Sequence, residues 1–83
     1  MQLTVKYFAS IRESVGRSTE QVQTTAASLS TLRDELIGRG GPYAESLARG
    51  KTVRMALNQV MRDESAVLTD GAEVAFFPPV TGG

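Results

Sequence analysis

The residues whose types and spacing best suit chemistry are the last six, PPVTGG. Pro78 and Pro79 cannot donate ladder hydrogen bonds, so a sheet should end there and the chain should leave it in an extended conformation. Gly82 and Gly83 lack a Cβ and therefore fit a narrow channel. At about 3.3 to 3.6 Å per residue, six residues could reach roughly 20 Å. The predicted insertion segment consists of Pro78, Pro79, Val80, Thr81 and Gly82. It would present the Gly83 carboxylate as the candidate functional group, and the alternative is a frayed terminus without a role.

The rest of the chain lacks the usual catalytic side chains. It has no Cys and no His, which excludes a disulfide, a thiolate nucleophile and the commonest general base and metal ligand. The nine acidic residues, among them Glu13, Glu20, Asp34 and Glu73, have polar neighbours, and we expect them on a solvated surface. We therefore predict no catalytic site within this chain, no metal site and no bound cofactor.

Length and charge restrict the class of partner. A chain of 83 residues is long enough for one domain with a small core. Nine basic and nine acidic residues give a net charge of zero, which argues against binding to nucleic acid or to a membrane surface. The sequence has no long apolar run and no signal-like start, so we expect a cytoplasmic protein with protein or small-molecule partners.

The first half of the chain predicts two strands and two helices. Apolar residues alternate over residues 1–7, which is typical of a strand buried on one face. Ser10 and Glu13 have the spacing of a capping box for a short helix ending at Gly16. Residues 19–25 read as an edge strand. The main helix begins near Ser28, with its apolar face formed by Leu29, Leu32, Leu36 and Ile37.

The second half predicts a short helix, a hairpin and a final strand. Gly40, Gly41 and Pro42 end the main helix, and Tyr43 with Leu47 suggests another short helix before Gly50. Residues 53–57 and 60–62 alternate on either side of a turn at 58–59, which indicates a hairpin. Asp70-Gly71 forms a turn before the last strand, residues 73–77.

Together these elements predict an α+β domain over residues 1–77, followed by a flexible tail over 78–83. One main helix across one face of a mixed five-stranded sheet is the layout of the ubiquitin-like β-grasp. By analogy with that fold, the first and last strands should pair in parallel at the centre.

An apolar patch is predicted on the uncovered face of the sheet. If Val74 and Phe76 face the helix, the period of two sends Phe77 to the opposite face. Phe8 interrupts the alternation of the first strand, and Met61 follows Val60, which we expect in the core. Phe8, Met61 and Phe77 could form a partner-binding surface, or the two Phe residues could cap the core while Met61 is incidental.

Three stretches resemble a known family. FASIRESVG (residues 8–16), MALNQ (55–59) and LTDGAEVAFFPPVTGG (68–83) are similar to the small subunits of molybdopterin synthase, and the last stretch is the most specific. Residues 24–52 match the family in their general pattern but contain no distinctive motif. Asp63 stands where the family often has a bulky apolar residue.

The resemblance implies a sulfur carrier. In that family a ubiquitin-activating-type enzyme uses ATP to adenylate the terminal glycine, here Gly83, and sulfur obtained indirectly from a donor protein converts it to a thiocarboxylate. The tail then enters the large subunit, where sulfur passes to cyclic pyranopterin monophosphate. The family's contact with the large subunit is largely apolar, and its matching positions include Phe8, Met61 and Phe77.

Three other functions stay open. The thiamine thiazole sulfur carriers share the fold and the Gly-Gly end, and binding to one large subunit or the other would distinguish them. A ubiquitin-like modifier would instead form isopeptide bonds to lysines through Gly83. A non-covalent binding module with an inert tail would be unaffected by deletion of Gly82 and Gly83.

Overall fold

The computed structural model describes residues 1–79, which form a mixed five-stranded sheet and three helices. In chain order the elements are β1 (Gln2–Tyr7), α1 (Ala9–Val15), β2 (Thr19–Gln23), α2 (Leu29–Ile37), α3 (Gly41–Leu47), β3 (Arg54–Leu57), β4 (Val60–Arg62) and β5 (Glu73–Phe77). The strand order is β2-β1-β5-β3-β4. This is the predicted α+β fold, with a sheet of the β-grasp type.

The centre of the sheet is the parallel pair of β1 and β5, as predicted. Val5 lies opposite Val74 and Tyr7 opposite Phe76, and these side chains are at most 1% exposed. The other pairings, β1 with β2, β3 with β5 and β3 with β4, are antiparallel. The apolar alternation of the first and last strands therefore becomes one buried face of the sheet.

Helix α2 covers that face with the residues that the sequence predicted. Leu29, Leu32 and Leu36 are fully buried and belong to the same core as the inner residues of the strands. A capping box begins the helix, because Ser28 Oγ accepts from the backbone of Thr31 and the Thr31 side chain accepts from the backbone of Ser28. These bonds satisfy amide groups that have no partner within the helix.

The capping box predicted at Ser10 and Glu13 is wrong. Helix α1 begins at Ala9, its N-cap is the extended residue Phe8, and no side chain caps it. The Phe8 amide donates to the Phe76 carbonyl at 3.1 Å, so β1 continues directly into the helix and leaves Ser10 one residue inside it. The predicted C-terminus is confirmed, since Gly16 adopts φ 86° and donates to the Arg12 carbonyl.

The hairpin is confirmed, but the core position of Val60 is wrong. Asn58 and Gln59 have φ of 50° and 68°, the left-handed geometry of a tight hairpin turn. Strand β4 lies at the edge of the sheet with β3 as its one neighbour, and Val60 is 60% exposed. The alternation placed Val60 on the correct face of the sheet. Because β4 is an edge strand, few neighbouring side chains bury Val60.

Candidate functional site

The predicted partner-binding residues lie on the face of the sheet that points away from the core. Strand register places Ala75, Ala56 and Met61 in one row across β5, β3 and β4. Phe77 lies in the next row, opposite Arg54. Ala56 and Ala75 are each 7% exposed but do not belong to the core cluster.

Phe8 and Phe77 are in direct contact. Their rings pack edge to face, with centroids 6.0 Å apart and planes at 82°, which is a favoured geometry for aromatic pairs. Phe8 is 44% exposed and Phe77 is half-buried, and neither belongs to the core cluster. The structure therefore brings these two predicted residues together at the end of β5 where the tail begins.

Met61 lies farther along the same face and is 50% exposed. Ala75 and Ala56 connect it across the sheet to the two Phe side chains. We call Phe8, Ala56, Met61, Ala75 and Phe77 the apolar surface. Phe8, Met61 and Phe77 are its solvent-accessible members, and an exposed apolar patch is typical of a protein contact.

The tail leaves the sheet from its centre. Strand β5 ends at Phe77 and is followed at once by Pro78 and Pro79, both half-buried and outside the strand. The remaining predicted tail residues, Val80, Thr81, Gly82 and Gly83, lie outside the described residues. The base of the tail is thus fixed by a strand that is paired on both sides and adjoins the apolar surface.

Glu20 is a half-buried residue that the sequence analysis placed wrongly on a solvated surface. Its side chain is 8% exposed and accepts hydrogen bonds from Tyr7 at 2.7 Å, Tyr43 at 2.8 Å and Arg39 at 3.0 Å. Burial acts to raise the pKa of Glu20, but these three hydrogen bonds together lower it below its usual value. The signal was available in β2, because Glu20 lies two residues before the buried Val22 and thus on the same face.

The same cluster makes Tyr7 a poor acid. Burial, and then the hydrogen bond to Glu20, raise the pKa of Tyr7 well above its usual value. The Tyr7 ring also stacks on Phe76, with centroids 6.2 Å apart. These contacts join β1, β2, β5 and α3 on the core side of the sheet, away from the apolar surface, so the cluster stabilises the fold.

Two further properties concern residues 1–79. Within this range no three acidic side chains are grouped as a metal ion would need. None of the three helices is both long enough and apolar enough to pass through a membrane.

A family model and relatives that match over nearly their whole length show which proteins this chain is similar to. The ThiS family model matches residues 5–83. The chain belongs to the ThiS family. It is 40% identical over 81 residues to the molybdopterin synthase sulfur carrier subunit of Escherichia coli, and 37% identical over 81 residues to that of Haemophilus influenzae. Each match covers 98% of this chain and 99% of the relative.

Solved structures of similar proteins share the ThiS-family fold seen here. Small archaeal modifier protein 1 of Haloferax volcanii matches with a TM-score of 0.77 at 26% identity, over 95% of this chain and 98% of that one. A complex of subunits 1 and 2 of the molybdopterin-converting factor from Helicobacter pylori contains a chain that matches with a TM-score of 0.69 at 27% identity, over all of both chains.

Proposed function

We propose that this chain is the sulfur carrier subunit of molybdopterin synthase and works in the cytoplasm. The observation that carries the proposal is its similarity, over nearly the whole length of both chains, to proteins named for that role. The geometry agrees with a carrier, since a central strand leads into the tail beside an exposed apolar surface. A carrier needs a firm base for its reactive end and a contact surface near that base.

The proposed chemistry takes place at the Gly83 carboxylate. A carboxylate is a poor acyl donor because its oxygen is a poor leaving group. An adenylating enzyme of the ubiquitin-activating type would join this carboxylate to the AMP portion of ATP and release pyrophosphate. A sulfur nucleophile, derived indirectly from a donor protein, would then displace AMP and leave a thiocarboxylate. A protein without Cys can carry sulfur in this way, and it need not bind a cofactor.

The second half of the cycle requires a large subunit. We propose that Phe8, Met61 and Phe77 dock the domain while Pro78, Pro79, Val80, Thr81 and Gly82 enter the large subunit's active site. There the thiocarboxylate of Gly83 would give up its sulfur to cyclic pyranopterin monophosphate. In this scheme the large subunit provides the catalytic site and this chain provides the sulfur.

Deletion of Gly83 tests the proposal. The full-length protein and the deletion variant are each incubated with ATP, a cognate adenylating enzyme and a sulfide source, and the intact masses are measured. We expect the full-length protein alone to gain the mass difference between sulfur and oxygen, on its C-terminal peptide. Equal gains in both proteins, or none in either while the same enzyme modifies another carrier, would contradict the proposal.

A second candidate is a protein modifier, favoured by the similarity to small archaeal modifier protein 1. Both functions begin with adenylation, so the acceptor distinguishes them. Peptide mass spectrometry of proteins from the native host would reveal lysines joined to Gly83 by isopeptide bonds if the chain is a modifier. A carrier alone would give none.

A further inference from the structure

A cleft lies beside the apolar surface, where the two strands of the hairpin separate. Before Arg54 and after Arg62 the chain segments are no longer paired, and the space between them has a volume of about 500 Å³. Its lining includes Arg33, Lys51, Arg54, Met61, Arg62 and Glu64. The cleft thus combines one exposed apolar side chain with several cations.

The floor of the cleft is occupied by internal hydrogen bonds. Arg33 is 5% exposed, and it donates to the carbonyls of Leu47, Ala48 and Lys51 at 2.8, 2.8 and 2.9 Å. It also donates to Glu64 at 3.1 Å. Because these bonds already engage the guanidinium, the floor has little capacity to bind a small free anion.

The rim of the cleft has an excess of positive charge. Within residues 1–79, Lys51, Arg54 and Arg62 form no ion pair, and all three are exposed. Of the two acidic residues of the lining, Glu64 pairs with Arg33 and Arg49. Asp63 accepts from the backbone and hydroxyl of Ser65, and its negative charge lies near Arg62. Three exposed cations therefore stand against one exposed carboxylate, and the excess charge of the rim is positive.

The rim and the apolar surface meet at Met61 and Arg54. Met61 belongs to both, and Arg54 lies opposite Phe77 across the β3–β5 pairing. Arg62 pairs with the core residue Met55 and so points to the other face of the sheet, but it lines the same cleft. A partner seated on the apolar surface must therefore approach Arg54 closely and reach Arg62 through the cleft. Charges at the rim of an apolar contact are usually matched by opposite charges on the partner, which speeds association and excludes wrong partners.

We propose that Asp or Glu side chains of the large subunit bind at Lys51, Arg54 and Arg62, beside the contact with the apolar surface. This inference rests on the proposed function, because it assigns a charge to the partner's surface. It favours a protein carboxylate over a free anion because the cations are exposed at the rim while the buried arginine is already engaged.

The double variant Arg54→Gln and Arg62→Gln tests the inference. Arg17→Gln is the control, because it removes an exposed arginine that precedes β2 at the opposite edge of the sheet, where it pairs with Glu20 at 3.6 Å. Association with the cognate large subunit is measured by surface plasmon resonance at low and high salt. We expect the double variant to associate about tenfold more slowly at low salt and the gap to close at high salt, since screening weakens exposed charges. The control should associate at least half as fast as the wild type.

The possible outcomes separate the two proposals. Absence of wild-type binding to a functional large subunit would contradict the proposed function itself. Normal wild-type binding with equal rates for the double variant and the control would overturn the basic cleft alone. The inference would also be overturned if the double variant kept the wild-type rate of association with the large subunit but lost affinity for inorganic pyrophosphate. The cleft would then be a site for small anions. Equal circular dichroism spectra would confirm that all variants fold.

Discussion

Phe77 is the last residue of β5 and directly precedes the tail. Its ring packs against Phe8 on the open face, outside the core. We expect Phe77→Ala to weaken binding to the large subunit by more than tenfold, about 1.4 kcal/mol or more. The free energy of unfolding should fall by only about 1 kcal/mol, because the side chain is half-buried.

Calorimetric binding and thermal unfolding measure the two effects of the Phe77 variant separately. Val67→Ala is a matched control, since Val67 is 68% exposed and lies outside the apolar surface. A large loss of stability with unchanged affinity would show that Phe77 belongs to the core and that its partner role is wrong.

Glu20→Gln tests the buried cluster on the other face. The variant keeps an acceptor oxygen but loses the charge that Tyr7, Tyr43 and Arg39 share. We expect a loss of about 1 to 3 kcal/mol in the free energy of unfolding at neutral pH. Chemical denaturation measures it, and Glu13→Gln, an exposed glutamate, provides the comparison.

The same variant should change how stability depends on pH. The pKa of Glu20 is lower in the folded protein than its ordinary value of 4.5. Its ionised form therefore stabilises the fold above pH 4.5, and this contribution is lost as the pH falls through the folded pKa. The stability difference between wild type and Glu20→Gln should shrink on acidification below pH 4.5, and a difference that grows there would contradict the assignment.

At the scale of elements, two serines near helix starts differ in what they do. Ser28 exchanges hydrogen bonds with Thr31 at the start of α2, whereas α1 begins at Phe8 without a side-chain cap. We expect Ser28→Ala to cost about 1 kcal/mol of stability and Ser10→Ala to stay within about 0.5 kcal/mol. Urea unfolding of both variants checks this, and equal losses would contradict the cap assignment.

Most elements could be predicted because their patterns are local. The alternation of Leu3, Val5 and Tyr7, and the spacing of Leu29, Leu32 and Leu36, each record one buried face. The error at Ser10 has a tertiary cause, since pairing of Phe8 with β5 decides where α1 begins. Val60 was misplaced because the pattern of a strand does not indicate whether it lies at the edge of the sheet.

At the scale of the whole molecule, the distribution of charge could not be predicted from the net charge. The net charge of zero does not show that Lys51, Arg54 and Arg62 form no ion pair among the described residues, or that Glu20 has four partners: Tyr7, Tyr43, Arg39 and Arg17. The Glu20 cluster unites residues that are distant in sequence, and the rim depends on which nearby side chains find ion-pair partners. The apolar surface was partly predictable, because the period of two placed Phe77 on the open face, while only strand register linked Phe77 to Met61.

The parallel pairing of β1 with β5 also governs how the chain can fold. Thr4 pairs with Glu73, so the two central strands meet only after nearly the whole domain has been synthesised. Contacts this distant in sequence slow folding, because a long loop must close before they form. A nascent chain without β5 leaves β1 and β3 with open edges. Pro78 and Pro79 therefore acquire a fixed base only when the sheet closes, and a domain that loses β5 by local unfolding also loses the position of its tail.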